Sequence, residues 1–108
     1  MHFPVELFRG VDTPFYYYDL DLLRRTLAAV TESVPGSNYK VHYAMKANAN
    51  PAVLKEVREA GLGVDTVSGG EIEAAVAAGF APEKIVFAGV GKSDAEIELA
   101  LNAGIGNF

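Results

Sequence analysis

The sequence contains no cysteine, few basic residues and no long apolar run. Without cysteine, these 108 residues can form neither a disulfide framework nor a thiolate metal site, and they contain no cysteine nucleophile. The 9 Lys and Arg residues against 14 Asp and Glu residues give a net charge of -5, which argues against the clustered positive charge that nucleic-acid binding requires. No stretch approaches the roughly 20 apolar residues of a membrane span, and the first residues lack the pattern of a signal peptide. We therefore expect a cytoplasmic protein with neither nucleic acid nor membrane as a partner.

Half of the residues are hydrophobic, which is enough for one domain-sized core or for part of one. The aromatic run Phe15–Tyr18 follows a proline and favours a strand. Asp19 is a good helix N-cap, and apolar residues recur at three- and four-residue steps over Leu20–Val34, which predicts an amphipathic helix that ends before Pro35. We assign this strand and helix to a first segment, residues 1–38.

From residue 39 onward one unit repeats: a short apolar strand, a helix with an N-cap residue, and a glycine followed by a large apolar residue. The predicted strands are Val41–Met45, Val64–Val67 and Ile85–Ala88, the predicted N-caps are Asn50, Ser68 and Ser93, and the predicted helix ends are Gly61, Gly79 and Gly104. Ser68 with Glu71, and Ser93 with Glu96, have the spacing of a capping box, in which each side chain accepts the backbone N–H of the other residue.

Strands that alternate with helices of about ten residues predict parallel pairing and an α/β fold. An open parallel sheet of about four strands would expose an apolar edge, whereas a closed (β/α)8 barrel needs roughly 250 residues. Residues 39–108 are therefore expected to be the first βα units of a TIM-type barrel, with the next strand starting at 105–108. The alternative is a compact doubly wound sheet, but the glycine-rich phosphate loop of that fold is absent from Lys46–Pro51.

Lys46 stands at the C-terminal end of the first predicted barrel strand. In parallel βα folds this end of the strands forms the ligand site. Alternation along the strand places His42, Ala44 and Lys46 on one face, which suits a barrel interior. It places Val41, Tyr43 and Met45 on the other face, under the helices. An amine in a desolvated pocket can form an imine with an aldehyde such as that of pyridoxal 5'-phosphate (PLP). The ordinary alternative is a lysine that extends from a strand end into solvent.

Several strings of residues resemble one known family. They are Tyr43–Asn48 (Tyr-Ala-Met-Lys-Ala-Asn), Pro51–Leu54 (Pro-Ala-Val-Leu) and Gly63–Glu71 (Gly-Val-Asp-Thr-Val-Ser-Gly-Gly-Glu), supported by Thr13–Asp19, Pro82–Phe87 and Gly89–Ser93. In this order they resemble the N-terminal barrel segment of the diaminopimelate decarboxylases, which are PLP-dependent enzymes of fold type III. The resemblance covers nearly the whole chain.

The resemblance implies decarboxylation of meso-2,6-diaminopimelate to L-lysine and carbon dioxide, a step of lysine biosynthesis, by a cytoplasmic homodimer. In that family the lysine of the Tyr-Ala-x-Lys-Ala-Asn string is covalently bound to PLP, and Lys46 stands at the matching position. The family barrel is preceded by a strand and helix that link to a C-terminal β domain. The groups that bind the ring nitrogen, the phosphate and the substrate come from later residues and a second subunit, so the 108 residues alone are expected to be inactive.

We expect Ala44, Asp65 and Glu71 to contact the cofactor together with Lys46. In related decarboxylases an Asp of the second strand and a Glu early in the next helix lie near the cofactor-bearing lysine, and Asp65 and Glu71 match them. Each has an ordinary alternative. Asp65 can be a solvated carboxylate at a strand end, and Glu71 can serve only as the capping residue.

Two other features are interpreted as structural. His2 and His42 lack a paired carboxylate or a metal-ligand spacing, so no metal site is predicted and both are expected to be structural or on the surface. Ser68–Gly70 is interpreted as a tight strand-to-helix turn, because the resemblance places the phosphate-binding glycines later in the chain.

Alternatives remain open for the function. Ornithine, arginine and lysine decarboxylases share this barrel, and the residues that choose the substrate are not in the chain. Alanine racemases also carry a PLP lysine on the first strand, but they differ in the residues that follow it. A non-catalytic homologue that acts through protein contacts, or a half-barrel that closes by self-association, are the alternatives of another class.

Overall fold

The computed structural model describes residues 3–108, except for the side chain of Ser37. His2, one of the two histidines predicted to be structural, lies outside the described residues. The α-helices are α1 (Val5–Phe8), α2 (Leu20–Ser33), α3 (Pro51–Glu59), α4 (Gly69–Ala77) and α5 (Asp94–Asn102). The strands are β1 (His42–Ala44), β2 (Gly63–Thr66) and β3 (Ile85–Phe87), and short 3-10 turns lie at Gly36–Asn38, Met45–Ala47 and Pro82–Lys84. None of the helices within residues 3–108 has the length and apolar character needed to span a membrane.

The three strands form one parallel sheet in the order β1-β2-β3. His42 pairs with Gly63, and Val64 pairs with Ile85, so neighbouring strands start nearly level with each other. Each pair of strands is joined through a helix, α3 or α4, because parallel strands need a crossover connection. The predicted α/β class with parallel strands is confirmed.

The strand ends differ from the prediction by one residue. β1 ends at Ala44 because Met45–Ala47 forms a 3-10 turn, β2 begins and ends one residue early, and β3 ends at Phe87. The next strand starts in the predicted stretch: Asn107 pairs in parallel with residue 86, and its carbonyl accepts a hydrogen bond from Phe87 N at 2.9 Å.

The last three helices end in the same way, as predicted. The glycine after each helix has a positive φ, at Gly61 (83°), Gly79 (84°) and Gly104 (81°). The N–H of the following apolar residue bonds back to a carbonyl of the last turn, for Leu62 to Val57 (3.3 Å), Phe80 to Ala75 (3.1 Å) and Ile105 to Ala100 (3.0 Å). These are Schellman ends, and all three apolar residues are buried. Each helix therefore stops at the point from which the chain can enter the next strand.

The core lies between one face of the sheet and the helices that cover it. The 3-10 turn after β1 contributes Met45, and strands β2 and β3 contribute Val64, Ile85 and Phe87. The helices contribute Leu54, Val57, Ile72, Ala75 and Ala100. Val41 and Tyr43 pack against this cluster, so the helix-covered face predicted for the first strand is confirmed. The opposite face carries His42, Ala44 and Asp65 in the same alternation.

The strand predicted at Phe15–Tyr18 is not formed, and that prediction is wrong. The segment has no regular secondary structure, because no other strand of residues 3–108 lies beside it to receive its backbone N–H and C=O groups. Instead, the rings of Phe15 and Tyr17 pack on Phe8, with centroid distances of 5.3 and 5.0 Å. The boundary between 1–38 and 39–108 stays a prediction.

Helix α2 follows the prediction and is held against α3 by an ion pair. Asp19 caps α2 by accepting a hydrogen bond from Leu22 N at 2.9 Å. Arg24 Nε donates to Glu56 Oε2 at 2.8 Å, and Arg24 Nη2 donates to Glu56 Oε1 at 2.7 Å. Glu56 is only 6% exposed. The hydrogen bonds from Arg24 lower the pKa of the Glu56 carboxyl, against the opposing effect of burial.

We expect Arg24→Ala to lower the melting temperature of the complete protein, because the variant leaves a buried carboxylate without its partner. The folded-state pKa of Glu56 lies below its ordinary value of 4.5, so the pair stabilises the fold above that value. This stabilisation is lost as the pH falls through the folded-state pKa. On acidification from about pH 7 to values well below the ordinary pKa of 4.5, the variant should therefore lose less stability than the wild type in thermal unfolding followed by circular dichroism. Arg25→Ala is the control, since Arg25 has no ion pair within residues 3–108, and an equal effect of both variants would contradict the prediction.

Candidate active site at the carboxyl edge of the sheet

Lys46 lies in the 3-10 turn Met45–Ala47 that directly follows β1. Met45 is 1% exposed and anchors the turn in the core, whereas Lys46 is exposed. The turn packs beside β2. The lysine side chain therefore starts from an anchored point at the carboxyl edge of the sheet, where the ligand sites of parallel βα folds form.

Hydrogen bonds hold the loop that leads from Lys46 to α3. Tyr43 Oη donates to Asn48 O at 2.9 Å, and Asn48 N donates to the carbonyl of the 3-10 turn at 3.1 Å. Asn48 Oδ1 accepts from Asn50 N, and Asn50 Oδ1 caps the first turn of α3, each at 2.9 Å. Burial raises the pKa of the Tyr43 phenol, which keeps it protonated as a donor. The tyrosine and the asparagine of the Tyr-Ala-Met-Lys-Ala-Asn string thus fix the chain on both sides of the lysine.

Asp65 lies in the middle of a row of residues on the face of the sheet that points away from the core. It pairs in register with Ala44 of β1 and Val86 of β3, and register partners in a parallel sheet share a face. Asp65 Oδ1 is buried and has no hydrogen-bond partner within residues 3–108. Because an unpaired buried carboxylate oxygen is costly, this atom marks a point where a donor from a ligand or from another part of the protein would be stabilising.

Glu71 lies in the first turn of α4 and bonds back to the end of β2. Its Oε2 accepts from Val67 N at 2.7 Å, while Ser68 Oγ accepts from Glu71 N at 3.2 Å. The reciprocal capping box predicted at Ser68 is therefore wrong in one half, because the carboxylate takes the N–H of the residue before the cap. The prediction of a tight turn from β2 into α4 is confirmed.

Glu71 accepts from Val67 N and not from Ser68 N because of the turn that carries Lys46. Gly63 N donates to Val41 O at 3.0 Å, and the parallel ladder continued two residues at a time would pair Val67 N with Met45 O. Met45 O instead accepts from Asn48 N inside the turn. Glu71 supplies the acceptor that the ladder has lost, so its position depends on the same turn as that of the lysine.

His42 lies on the same face, two residues before Ala44, and its ring covers Gly63. A Cβ at Gly63 would lie 2.5 Å from His42 Cδ2 and 2.5 Å from Lys84 O, so only glycine fits there. This packing favours the structural role predicted for His42. Within residues 3–108, no three His, Asp or Glu side chains are grouped to hold a metal ion.

The structure brings the four predicted site residues to one edge of the sheet, although their side chains are not equally available to a ligand. Ala44 and Asp65 are register neighbours, and Lys46 follows Ala44 by two residues, beyond the end of the strand. Glu71 reaches the same edge with one carboxylate oxygen already engaged. Sequence reasoning missed the role of Tyr43, because a hydroxyl-to-carbonyl bond between residues five apart has no periodic signal.

These features define the class of the protein: a parallel α/β protein with an exposed lysine and an unpaired carboxylate oxygen at the carboxyl edge of its sheet. PLP fits this arrangement, since it requires an amine for its aldehyde and polar groups that orient and tune its ring. Lys46 would provide the amine, and Asp65 Oδ1 would provide an acceptor, since it has no donor in the described part of the chain.

Residues 20–108 match the family described as pyridoxal-dependent decarboxylase, pyridoxal binding domain. The match covers β1 with its lysine turn, β2 and β3, and all helices from α2 onward. The chain belongs to this family, and the resemblance seen in the sequence is confirmed.

Individual relatives are similar to the chain to different degrees. The diaminopimelate decarboxylase of Bacteroides thetaiotaomicron is 61% identical over 104 residues, which cover 95% of this chain and 27% of the relative. The crystal structure of diaminopimelate decarboxylase from Helicobacter pylori complexed with L-lysine has a TM-score of 0.87 and 44% identity, over 94% of this chain and 26% of that one. Lysine/ornithine decarboxylase from Vibrio vulnificus complexed with putrescine has a TM-score of 0.83 and 27% identity, over 93% and 27% of the two chains. The chain thus spans about a quarter of the length of these proteins and has the fold of their N-terminal barrel part, as predicted.

We expect Tyr43→Phe to loosen the lysine loop, because it removes the bond to Asn48 O and keeps the ring in the core. The loss of one partly buried hydrogen bond should lower the free energy of unfolding by about 1 kcal/mol. Deuterium uptake by the peptide 45–50 of the complete protein should rise. Tyr39→Phe is the matched control, since the Tyr39 side chain is largely exposed. Equal uptake in the two variants would show that Tyr43 does not hold the loop.

Proposed function

We propose that the complete protein carrying this chain is a PLP-dependent decarboxylase that converts meso-2,6-diaminopimelate to L-lysine and carbon dioxide in lysine biosynthesis. The observation that carries the proposal is the anchored turn of Lys46 at the carboxyl edge of the sheet, in a chain that belongs to a pyridoxal-binding family. The name of the relative that is 61% identical supports diaminopimelate as the substrate.

In this proposal Lys46 holds PLP through its side-chain amine, and three neighbours shape the site. Ala44 lies beside Asp65, and its small side chain leaves the sheet face open at that point. Asp65 Oδ1 accepts a hydrogen bond from a donor brought by the ligand. Glu71 adds negative charge at the same edge while its Oε2 stays bonded to Val67 N.

When bound, PLP supplies the electron sink for the electron pair that remains as carbon dioxide leaves. The residues of this chain bind the cofactor and orient the groups around it. Tyr43 and Asn48 keep the lysine loop in place, and the buried Asp65 oxygen holds a proton-bearing group next to the lysine turn. Such fixed placement of reacting groups is a large part of what an enzyme contributes to catalysis.

Another basic amino acid is the nearest alternative substrate. The lysine/ornithine decarboxylase from Vibrio vulnificus is 27% identical, whereas the diaminopimelate decarboxylases from Helicobacter pylori and Bacteroides thetaiotaomicron are 44% and 61% identical. The difference in identity favours diaminopimelate. The presence of Lys46 argues against a non-catalytic homologue, since the lysine amine serves the cofactor.

We also propose that the complete protein is a cytoplasmic homodimer with a small amino acid as its substrate and with no nucleic-acid or membrane partner. The family resemblance supports the homodimer, because it places part of the site on a second subunit. The net charge of -5 supports the absence of a nucleic-acid partner. Sedimentation of the complete protein tests the oligomeric state.

Borohydride reduction of the PLP-loaded complete protein should fix the pyridoxyl group on the peptide that contains Lys46. Lys46→Ala should abolish turnover and not merely raise KM, because without the amine the cofactor is not held for reaction. Lys55→Ala is the control, since Lys55 is exposed on α3 and its one ion pair within residues 3–108 is with Glu59. A pyridoxyl group on Lys40, Lys55 or Lys92 would show that the assignment of Lys46 is wrong.

A substrate panel distinguishes diaminopimelate from its alternatives. We expect kcat/KM for meso-diaminopimelate to exceed the values for ornithine, arginine and lysine by at least about tenfold, because a site built for the second carboxylate of diaminopimelate rejects analogues that lack this carboxylate and leave its partners unpaired. Carbon dioxide release from each amino acid by the complete protein measures it. A preference for ornithine would move the protein to the neighbouring group of decarboxylases.

A further inference from the structure

Two loops leave the sheet at the same edge as Lys46. One follows β2 at 67–68, and the other follows β3 at 88–93. Their first residues are joined by the backbone, since Ala88 N donates to Thr66 O at 2.8 Å. Beyond that point, the side chain of Glu96 in α5 bonds to Ser93 at the end of the second loop and to Gly69, the residue of α4 that directly follows the first loop.

The Glu96 carboxylate accepts three hydrogen bonds. Oε2 accepts from Ser93 N and from Ser93 Oγ, each at 2.9 Å. Ser93 Oγ in turn accepts from Glu96 N at 3.2 Å, so the reciprocal capping box predicted at Ser93 is confirmed. Oε1 accepts from Gly69 N at 3.0 Å, a residue 27 positions earlier in the sequence. Donation from the Ser93 and Gly69 backbone lowers the pKa of the Glu96 carboxyl. Capping of α5 does not require the bond to Gly69.

Gly69 has no side chain, which allows its backbone to come close to Glu96. A Cβ at Gly69 would lie 3.2 Å from Glu96 Cγ and 3.3 Å from Leu99 Cδ2, closer than ordinary van der Waals contact. Gly69 is the first residue of α4 and is buried. The start of α4 therefore packs directly on α5, and Glu96 satisfies one of the N–H groups that a helix start leaves unpaired.

Gly69 belongs to the segment that connects the strand of Asp65 to Glu71. On one side of this segment, Glu71 Oε2 binds Val67 N in place of the ladder acceptor that was lost to the lysine turn. On the other side, Glu96 Oε1 binds Gly69 N. The segment 67–71 is thus held at two backbone N–H groups, at Val67 by a carboxylate of its own helix and at Gly69 by a carboxylate of the next helix.

We propose that Glu96 is a positioning residue for the active site: its carboxylate ties the start of α4 to the start of α5 and thereby fixes the segment 67–71 next to Lys46 and Asp65. The proposal rests on the proposed function, because it assigns an effect on decarboxylation to a residue that does not contact the reacting groups. A charge-assisted hydrogen bond is about twice as strong as a neutral one, so one carboxylate can hold two loops.

The test compares Glu96→Ala with Glu98→Ala in the complete, PLP-loaded protein. Glu98 lies on the same helix and is exposed, and its side chain has no hydrogen bond or ion pair within residues 3–108. We expect Glu96→Ala to raise deuterium uptake by the peptide 67–72 and to lower kcat about tenfold with little change in KM, because displaced catalytic groups slow the reaction. Glu98→Ala should leave uptake, kcat and KM unchanged.

Two further variants separate positioning from the stability of α5. Ser93→Ala removes the cap hydroxyl but leaves the bond from Gly69 N, so it should lower the melting temperature with little effect on uptake by 67–72. Glu96→Gln retains one carbonyl oxygen that can accept from Gly69 N, so it should restore most of the kcat that Glu96→Ala loses. If Glu96→Ala does not fold, Glu96→Asp takes its place, because its shorter side chain can still cap Ser93 but falls short of Gly69 N, so uptake by 67–72 should rise and kcat should fall.

The outcomes are distinct. Equal uptake and kcat in Glu96→Ala and Glu98→Ala would overturn the proposal, and so would a rise in uptake with an unchanged kcat. If the wild type failed to bind PLP at Lys46, the proposed function would fail by itself, and Glu96 would then have no reaction to position. Raised uptake with a lower kcat in Glu96→Ala alone supports the proposal.

Discussion

The parallel register of the three strands is the constraint on which the rest of the structure depends. Because β1, β2 and β3 run level, Ala44, Asp65 and Val86 form one row, and all three strands end at the same edge. Two neighbouring parallel strands must be joined by a crossover, so the helices that follow the strands, α3, α4 and α5, begin at this edge. The unpaired N–H groups of the helix starts are therefore gathered where the ligand site forms, and polar side chains must satisfy them.

This gathering explains why capping and site chemistry share the same few residues. Asn50 caps α3 and holds the end of the lysine loop, while Glu96 caps α5 and also reaches α4. The 3-10 turn at Met45–Ala47 is the local departure from regular structure, since it takes one carbonyl out of the ladder. Glu71 replaces that acceptor. Departures of this kind are expected where function and not stability has selected the backbone.

Local signals predicted most of the fold, and the failures have a common cause. The N-caps Asp19, Asn50, Ser68 and Ser93, and the glycine helix ends, appear as predicted, because each depends on residues within a few positions of one another. The strand at Phe15–Tyr18 fails because a strand exists only through a neighbour, which the residue pattern does not specify. The reciprocal capping box at Ser68 fails for a related reason. The Glu71 carboxylate accepts from Val67 N, which has no acceptor in the ladder because β1 ends before that position.

The sequence by itself determined the class of the protein, the order of its elements and the choice of Lys46 as the candidate cofactor-binding residue. It could do so because the hydrophobic period, the capping residues and a specific string of residues are local properties of the chain. Only the tertiary structure decided what surrounds that lysine. The unpaired oxygen of Asp65, the bond from Tyr43 to Asn48, and the reach of Glu96 to Gly69 each depend on how strands and helices are placed against each other. A hydrogen bond forms only at a short distance and a narrow angle, and packing of the whole sheet and its helices sets both.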